Sequence, residues 1–230
     1  MVPKHIAIIL DGNRRFAKKL SLEPWKGHDH GKEKVEELLD WCKELGVKEL
    51  TLYALSIQNL SRPKIEVDYL LHIIKKVFET FYNDKRIDED QVKINVIGRY
   101  NMLPSDIIEA INKLVKKTEK YNNYILNLAI AYGGREEITD SVKKIAQKVM
   151  LGELDPEDIT ESIIQDNLYI SSEPELIIRT GGDRRTSNFL IWQSYYSEWF
   201  FVDKMWPEFT KEDLISIFTE FEHRERRFGK

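Results

Sequence analysis

The 230-residue chain is 42% hydrophobic and 11% aromatic, enough apolar material for a sizeable core and too much for a disordered segment. Its 35 Lys and Arg stand against 39 Asp and Glu, a net charge of -4 that gives no overall attraction to nucleic acid. The single cysteine, Cys42, excludes a disulfide framework and a multi-cysteine metal site; inside a helical pattern it reads as a small buried residue.

The first strand pattern, Ile6–Leu10, is too short for a signal peptide or a membrane span. The chain therefore reads as cytoplasmic, with peripheral membrane contact left open. The strand ends in Asp11-Gly12-Asn13-Arg14-Arg15. Gly12 permits a tight turn, and the segment after it can open a helix whose free N–H groups face an anion. Asp11 is the informative residue, because a carboxylate among phosphate-binding cations repels phosphate unless a metal lies between them. Mg²⁺, held by one or two carboxylates plus phosphate oxygens, fits that pattern. A capped turn with solvated basic residues explains the motif about equally well on its own.

A helical pattern follows at Lys32–Leu45, then a strand at Glu49–Leu55 that ends in Ser56, Asn59 and Arg62. Taken alone this is an ordinary polar loop, with Pro63 suited to the first turn of the helix Glu66–Asn83. Beyond it the spacing predicts a strand at Lys93–Ile97, a helix at Ser105–Tyr121 and a strand at Ile125–Ala131. Helices at Glu136–Leu151 and Pro156–Gln165 lead to a strand at Leu176–Arg179. Its polar continuation, Thr180-Gly181-Gly182-Asp183-Arg184-Arg185-Thr186-Ser187-Asn188, is a second glycine- and arginine-rich turn that can bind phosphate. A last helical pattern covers Lys211–Arg227. Strands apolar on both faces, alternating with helices, predict one α/β domain over residues 1–230, with a mostly parallel central β-sheet flanked by helices. Such sheets bind ligands at the carboxyl ends of their strands, where both arginine-rich turns fall. Two such turns, each beside a carboxylate, suggest two anionic ligands side by side.

At this point the sequence resembles the cis-prenyltransferases, the undecaprenyl and dehydrodolichyl diphosphate synthase family. The matching stretches are His5 to Arg15, Gly27-His28, Leu52 to Asn59, Arg62-Pro63 with Glu66, and Ala131 to Arg135. Ile178 to Asp183, Ser187 to Gln193, Trp206-Pro207 and Arg224 to Gly229 complete the family's order along the whole chain. The resemblance implies an α/β fold with an apolar tunnel, and repeated condensation of isopentenyl diphosphate onto an allylic prenyl diphosphate (farnesyl or geranylgeranyl). It implies that Gly12, Asn13, Arg14, Arg15, His28 and Arg62 bind the allylic diphosphate, with Ser56, Asn59 and Glu66 beside them. Arg179, Arg185 and Ser187 correspond to the isopentenyl diphosphate clamp. Asp11 and Glu198 correspond to the Mg²⁺-associated carboxylates, Glu198 across a homodimer interface, where Arg227 and Gly229 complete the neighbouring site. Asp11, Asn13, Asn59 and the released pyrophosphate are all candidates for handling the proton.

Several positions differ from the common bacterial pattern. Arg14 and Phe16 stand for Gly and Trp, which looks archaeal- or eukaryotic-like, while Gln58 and Leu60 stand for Glu and Trp, and Asp183 for Glu. Candidate tunnel walls are Leu70, Leu71, Ile74, Val77, Phe78 and Phe81, with the strand Tyr124–Ala131; ordinary core packing would satisfy the same spacing. His30 and His72 are expected on helix surfaces. Three other functions compete, one of them a lipid-diphosphate binding protein without turnover, which would not need Asp11 and Glu198 together. A phosphatase with an Asp after its first strand would want a second Asp at position 13, which is Asn13. A non-catalytic partner subunit would be expected to lose Asp11 and the first arginine cluster.

Overall fold

A computed structural model of the chain describes residues 2–224. Six strands, β1 (His5–Ile9), β2 (Glu49–Ser56), β3 (Val92–Ile97), β4 (Tyr124–Tyr132), β5 (Leu176–Arg179) and β6 (Glu198–Phe201), form one sheet in the order β3-β4-β2-β1-β5-β6. Every pairing is parallel, so the carboxyl ends of all the strands lie on one edge. Between β1 and β5 the winding reverses: β2 follows β1 on one side, while β5 and β6 extend the sheet on the other. A crevice opens at such a reversal, and both arginine-rich turns start there.

The period-2 alternation of each strand divides the interior into two cores. On one face Ile6, Ile8, Leu50, Leu52, Leu126, Leu128 and Ile178 pack with apolar residues of α2 (Gly27–Leu45), α3 (Lys64–Asn83), α5 (Ser105–Thr118) and α8 (Lys211–His223). On the other face Ala7, Ile9, Tyr53, Ala129, Ile177 and Phe189 form a smaller, more aromatic cluster. Cys42 is buried in the first core, and burial pushes its thiol up to about 12, which leaves it inert.

Most elements lie where the residue pattern put them, including the short helix α1 (Asn13–Lys19) after Gly12, and three differ. Helix α4 (Lys85–Glu89), which the pattern did not mark, follows α3. The pattern over Pro156–Gln165 divides into a 3₁₀ turn at Pro156–Asp158 and α7 (Glu161–Asp166), because the Thr160 hydroxyl caps a new helix by accepting from Ile163 N–H. Strand β6 was not expected. The last helix ends at His223, and positions 225–230, including Arg227 and Gly229, lie outside the described residues. The remaining long helix is α6 (Gly134–Met150). Among the described residues no helix is long and apolar enough to cross a membrane.

Candidate active site

The turn after β1 is fixed by its backbone before any side chain reaches out. Gly12 has φ +108°, and a Cβ there would lie 2.8 Å from Met205, so both conformation and space require glycine. The Thr180 hydroxyl accepts from Asp11 N–H (3.1 Å) and donates to Asp11 C=O (2.8 Å), stitching the two strand ends together. Trp206 N–H adds a bond to the same carbonyl at 2.9 Å.

On this frame sits a closed ring of charges. Arg179, only 3% exposed, donates from Nη2 to Asp11 Oδ2 (2.7 Å) and from Nη1 to Ser187 Oγ (2.6 Å) and Arg185 C=O (2.5 Å). Arg15 Nη2 lies 3.3 Å from Asp11 Oδ1 and 3.2 Å from Asp183 Oδ2, and Arg185 Nη1 lies 2.9 Å from Asp183 Oδ1. Burial would raise the Asp11 carboxyl, but Arg179, the Gly12 N–H and Arg15 together hold it below its ordinary value. Three guanidiniums thus converge on two carboxylates, which leaves a net positive site at the strand ends. Ser187 and Asn188 carry left-handed backbones (φ 50° and 63°), a conformation that costs energy away from glycine and collects at functional sites.

A second cationic rim faces the ring. Buried Glu66 accepts from Arg62 Nη1 at 2.9 Å and lies 3.5 Å from Arg14 Nε, so one carboxylate holds two arginines. His28 lies beside them. Burial, then the charges of Arg62 and Arg14, push its imidazole down to about 4, and its buried Nε2 has no partner. Asn13 is clamped from behind: its Nδ2 donates to Leu10 C=O at 3.1 Å, while its buried Oδ1 is unpartnered. Ser56 and Asn59 cap their own 3₁₀ turn reciprocally, Asn59 N–H to Ser56 Oγ and Ser56 N–H to Asn59 Oδ1. The side-chain oxygen of Asn59 is therefore already committed to the turn.

Both rims line one cavity of about 1120 Å³, above the ~300–1,000 Å³ of ordinary small-molecule pockets. Asp11 to Arg15, His28, Ser56, Asn59, Arg62, Arg179, Arg185 and Ser187 all border it. Away from them the lining turns apolar, with Leu70, Ile73, Ile74, Val77, Phe78 and Phe81 of α3 facing Leu52, Leu128 and Ile130 of the sheet. Of the expected tunnel walls, Leu71 instead packs against the core, and Ile73 takes a place on the lining. A site that is cationic at one end and apolar in depth suits an amphiphile with a phosphorylated head.

Comparison with known proteins agrees with that shape. Residues 9–229 match the family model described as "Putative undecaprenyl diphosphate synthase". The chain is 50% identical over its full length to a tritrans,polycis-undecaprenyl-diphosphate synthase (geranylgeranyl-diphosphate specific) of Pyrococcus abyssi, covering 88% of that protein. The chain belongs to the cis-prenyltransferase family. A synthase of the same description from Methanocaldococcus jannaschii is 47% identical, with 100% of this chain and 83% of that protein covered. Lavandulyl diphosphate synthase of Lavandula x intermedia, solved with dimethylallyl diphosphate, superposes with a TM-score of 0.95 at 34% identity, covering 100% and 99% of the two chains. This cis-prenyltransferase is an enzyme, a Z-type transferase of prenyl groups, and its substrates as a class are isopentenyl and allylic diphosphates. Prenyl diphosphate synthases generally use a divalent metal.

Within the cis-prenyltransferase chain the two carboxylates expected at the metal do not meet. Glu198 pairs with Leu176 in the sheet register, and Leu176 with Ile6, three residues short of the Arg179 level and so roughly 10 Å toward the amino edge. Glu198 accepts there from Arg224 Nη1 at 2.7 Å. Among the described residues no cluster of three or more His, Cys, Asp or Glu forms a protein-only metal cage. Mg²⁺ usually takes one or two carboxylates and draws its other ligands from substrate phosphate and water. Asp11, 27% exposed and bordering the cavity, offers such a carboxylate.

The contacts that several residues make at the site carried no signal in the sequence. Thr180 has the role just described, and the Tyr53 hydroxyl donates to Tyr132 C=O (3.2 Å) and Ser187 C=O (3.3 Å) while its ring stacks on Phe189 at 4.6 Å. Asn188 accepts from Arg135 N–H (2.9 Å) and donates to Glu136 (2.8 Å), and both Asn188 and Arg135 border the cavity. Their side chains act across elements far apart in sequence, so spacing along the chain does not reveal them.

Proposed function

We propose that this cis-prenyltransferase condenses isopentenyl diphosphate repeatedly onto geranylgeranyl diphosphate, in preference to farnesyl diphosphate. The product is a long-chain Z-polyprenyl diphosphate for a glycosyl carrier lipid. The observation that carries the proposal is one cavity with two cationic rims at its mouth and an apolar channel behind them. Archaeal relatives near 50% identity described as geranylgeranyl-diphosphate specific support the choice of primer.

In this reading Asn13, Arg14, Arg15, His28 and Arg62, with the Gly12 turn, hold the allylic diphosphate, and Glu66 aims the two arginines. Arg179, Arg185 and Ser187 hold isopentenyl diphosphate. The allylic C–O bond breaks, its electron pair leaving with pyrophosphate, and the guanidiniums stabilise the charge that develops there. The terminal alkene carbon of isopentenyl diphosphate bonds to the allylic carbon, and loss of a neighbouring proton places the new double bond. Fixing both diphosphates side by side makes that collision an oriented event. Bound Mg²⁺, with Asp11 as its protein ligand, would neutralise diphosphate charge. Asp11, Asn13, Asn59 and pyrophosphate are the proton-handling candidates. Glu198, Arg227 and Gly229 would contribute only across a homodimer interface.

The test is incubation with Mg²⁺, isopentenyl diphosphate and, separately, geranyl, farnesyl and geranylgeranyl diphosphates, following pyrophosphate and product length. Geranylgeranyl diphosphate is expected to give the highest turnover and a ladder of long chains. No turnover with any of the three rejects the proposal.

A further inference from the structure

Arg15 and Arg185 belong to different turns, and in the proposed reading to different substrates, yet one carboxylate touches both. Each oxygen of Asp183 takes one arginine: Oδ2 lies 3.2 Å from Arg15 Nη2, and Oδ1 lies 2.9 Å from Arg185 Nη1. The carboxylate does not hang on a loose loop. Gly181 N–H donates to Lys204 C=O at 2.7 Å and Gly182 N–H to Val202 C=O at 2.9 Å, so the two residues before Asp183 are pinned to the chain beyond β6. Both glycines hold left-handed backbones (φ 88° and 79°), and a Cβ at Gly181 would lie 2.6 Å from Arg15 Nη2. The turn thus brings its carboxylate against Arg15 by close backbone approach.

We propose that Asp183 is a positioning residue that ties Arg15 to Arg185 and so registers the two diphosphate clamps against each other. The inference rests on the two-clamp reading given above. As stability elements these half-exposed ion pairs count for little, about 0–1 kcal/mol. Their consequence lies in geometry. Asp183 engages one terminal nitrogen of each guanidinium, and the rest of each planar fork is left to face the cavity and a phosphate. Reacting carbons must approach within ~3–3.5 Å, and a displacement of ~1 Å can cost about 10²-fold in rate. A carboxylate shared by both clamps sets the offset between the two substrates, which neither clamp fixes alone.

The test compares steady-state constants for wild type, Asp183→Asn, Asp183→Glu and Arg185→Ala, and for Arg185→Ala in the Asp183→Asn background. Asp183→Asn keeps the shape and removes the charge. It is expected to raise KM for both substrates about threefold to tenfold and to lower kcat, with the unfolding midpoint unchanged. Asp183→Glu should restore most of the loss. Arg185→Ala should raise KM for the allylic substrate as well as for isopentenyl diphosphate, and the allylic effect should vanish once Asp183 is Asn. A KM change for one substrate only, or an allylic effect of Arg185→Ala that is equal in both backgrounds, overturns the proposal. Wild-type protein without turnover is a different failure, that of the two-clamp reading, and removes this inference with it.

Discussion

Asp11 receives Arg179, Arg15 and the Gly12 N–H at once, so its removal changes more than a metal ligand. Arg179 is buried, and without its counter-ion an unpaired charge stays in the core. Asp11→Ala should therefore destabilise the ligand-free protein by about 3 kcal/mol, the scale of a broken buried pair. Inorganic pyrophosphate should restore much of that stability in a thermal melt by replacing the missing anion, while turnover stays down by roughly 10²-fold or more. Retained turnover would show that Asp11 serves the turn and not the chemistry. His28 gives a pH signature. Its ring is held down to about 4 by burial and then by Arg62 and Arg14, whereas an unfolded histidine titrates near 6.5. As pH falls below 6.5 the unfolded chain takes the proton first, so the stability this neutral ring contributes is present above 6.5 and is lost progressively down to about 4. Bound pyrophosphate supplies the missing negative charge and should move the His28 NMR titration upward; an unmoved titration would separate His28 from the anion site.

Gly27 and Gly31, one turn apart on α2, show how an element carries the site. A Cβ at Gly27 would lie 1.9 Å from Asn13 C=O, and one at Gly31 2.4 Å from Asn13 Oδ1, so α2 presses on α1 through its two bare positions. Helix propensity alone says Gly31→Ala should stabilise by ~1 kcal/mol. The contact predicts the opposite sign, a loss of about 1–3 kcal/mol with weakened allylic diphosphate binding. A denaturant midpoint decides between them, and a stabilised variant would refute the close-packing account. Such contacts also explain what could be read from the chain and what could not. The strands β1 to β5 and the long helices announce themselves by local apolar period, and the two arginine-rich turns by composition at the strand ends. Strand β6 did not: Glu198 to Phe201 is a four-residue edge strand whose place depends on its pairing with β5. The contacts of Asp183 with Arg15 and of Tyr53 with Tyr132 and Ser187 were equally silent, because those partners are brought near only by the sheet order. Sequence matching put Glu198 at a metal across a homodimer interface, and within one chain its strand register sets it apart from Asp11.

Across the whole molecule the cavity joins a charged mouth to an apolar depth, and its floor is identifiable. Phe81, 3% exposed on the last turns of α3, borders the main cavity and also a separate cavity of about 70 Å³ lined by Leu39, Cys42, Leu50, Leu126 and Ile87. The ring therefore stands as a partition between the apolar channel and the space toward the amino edge of the sheet. A prenyl chain that lengthens by one unit per turnover stops when its far end meets such a wall, because further growth must displace packed side chains. Phe81→Leu removes volume with a smaller penalty than the ~3–5 kcal/mol of truncation to Ala, so the fold should tolerate it. The expected result is a product distribution shifted upward by at least one isoprene unit, with KM for isopentenyl diphosphate unchanged because the clamps lie at the other end. Val77→Phe, narrowing the same channel nearer its middle, should shift the distribution downward while leaving the first condensation rate intact. Unchanged products from both variants, resolved against chain-length standards, would mean that the chain grows along a different path.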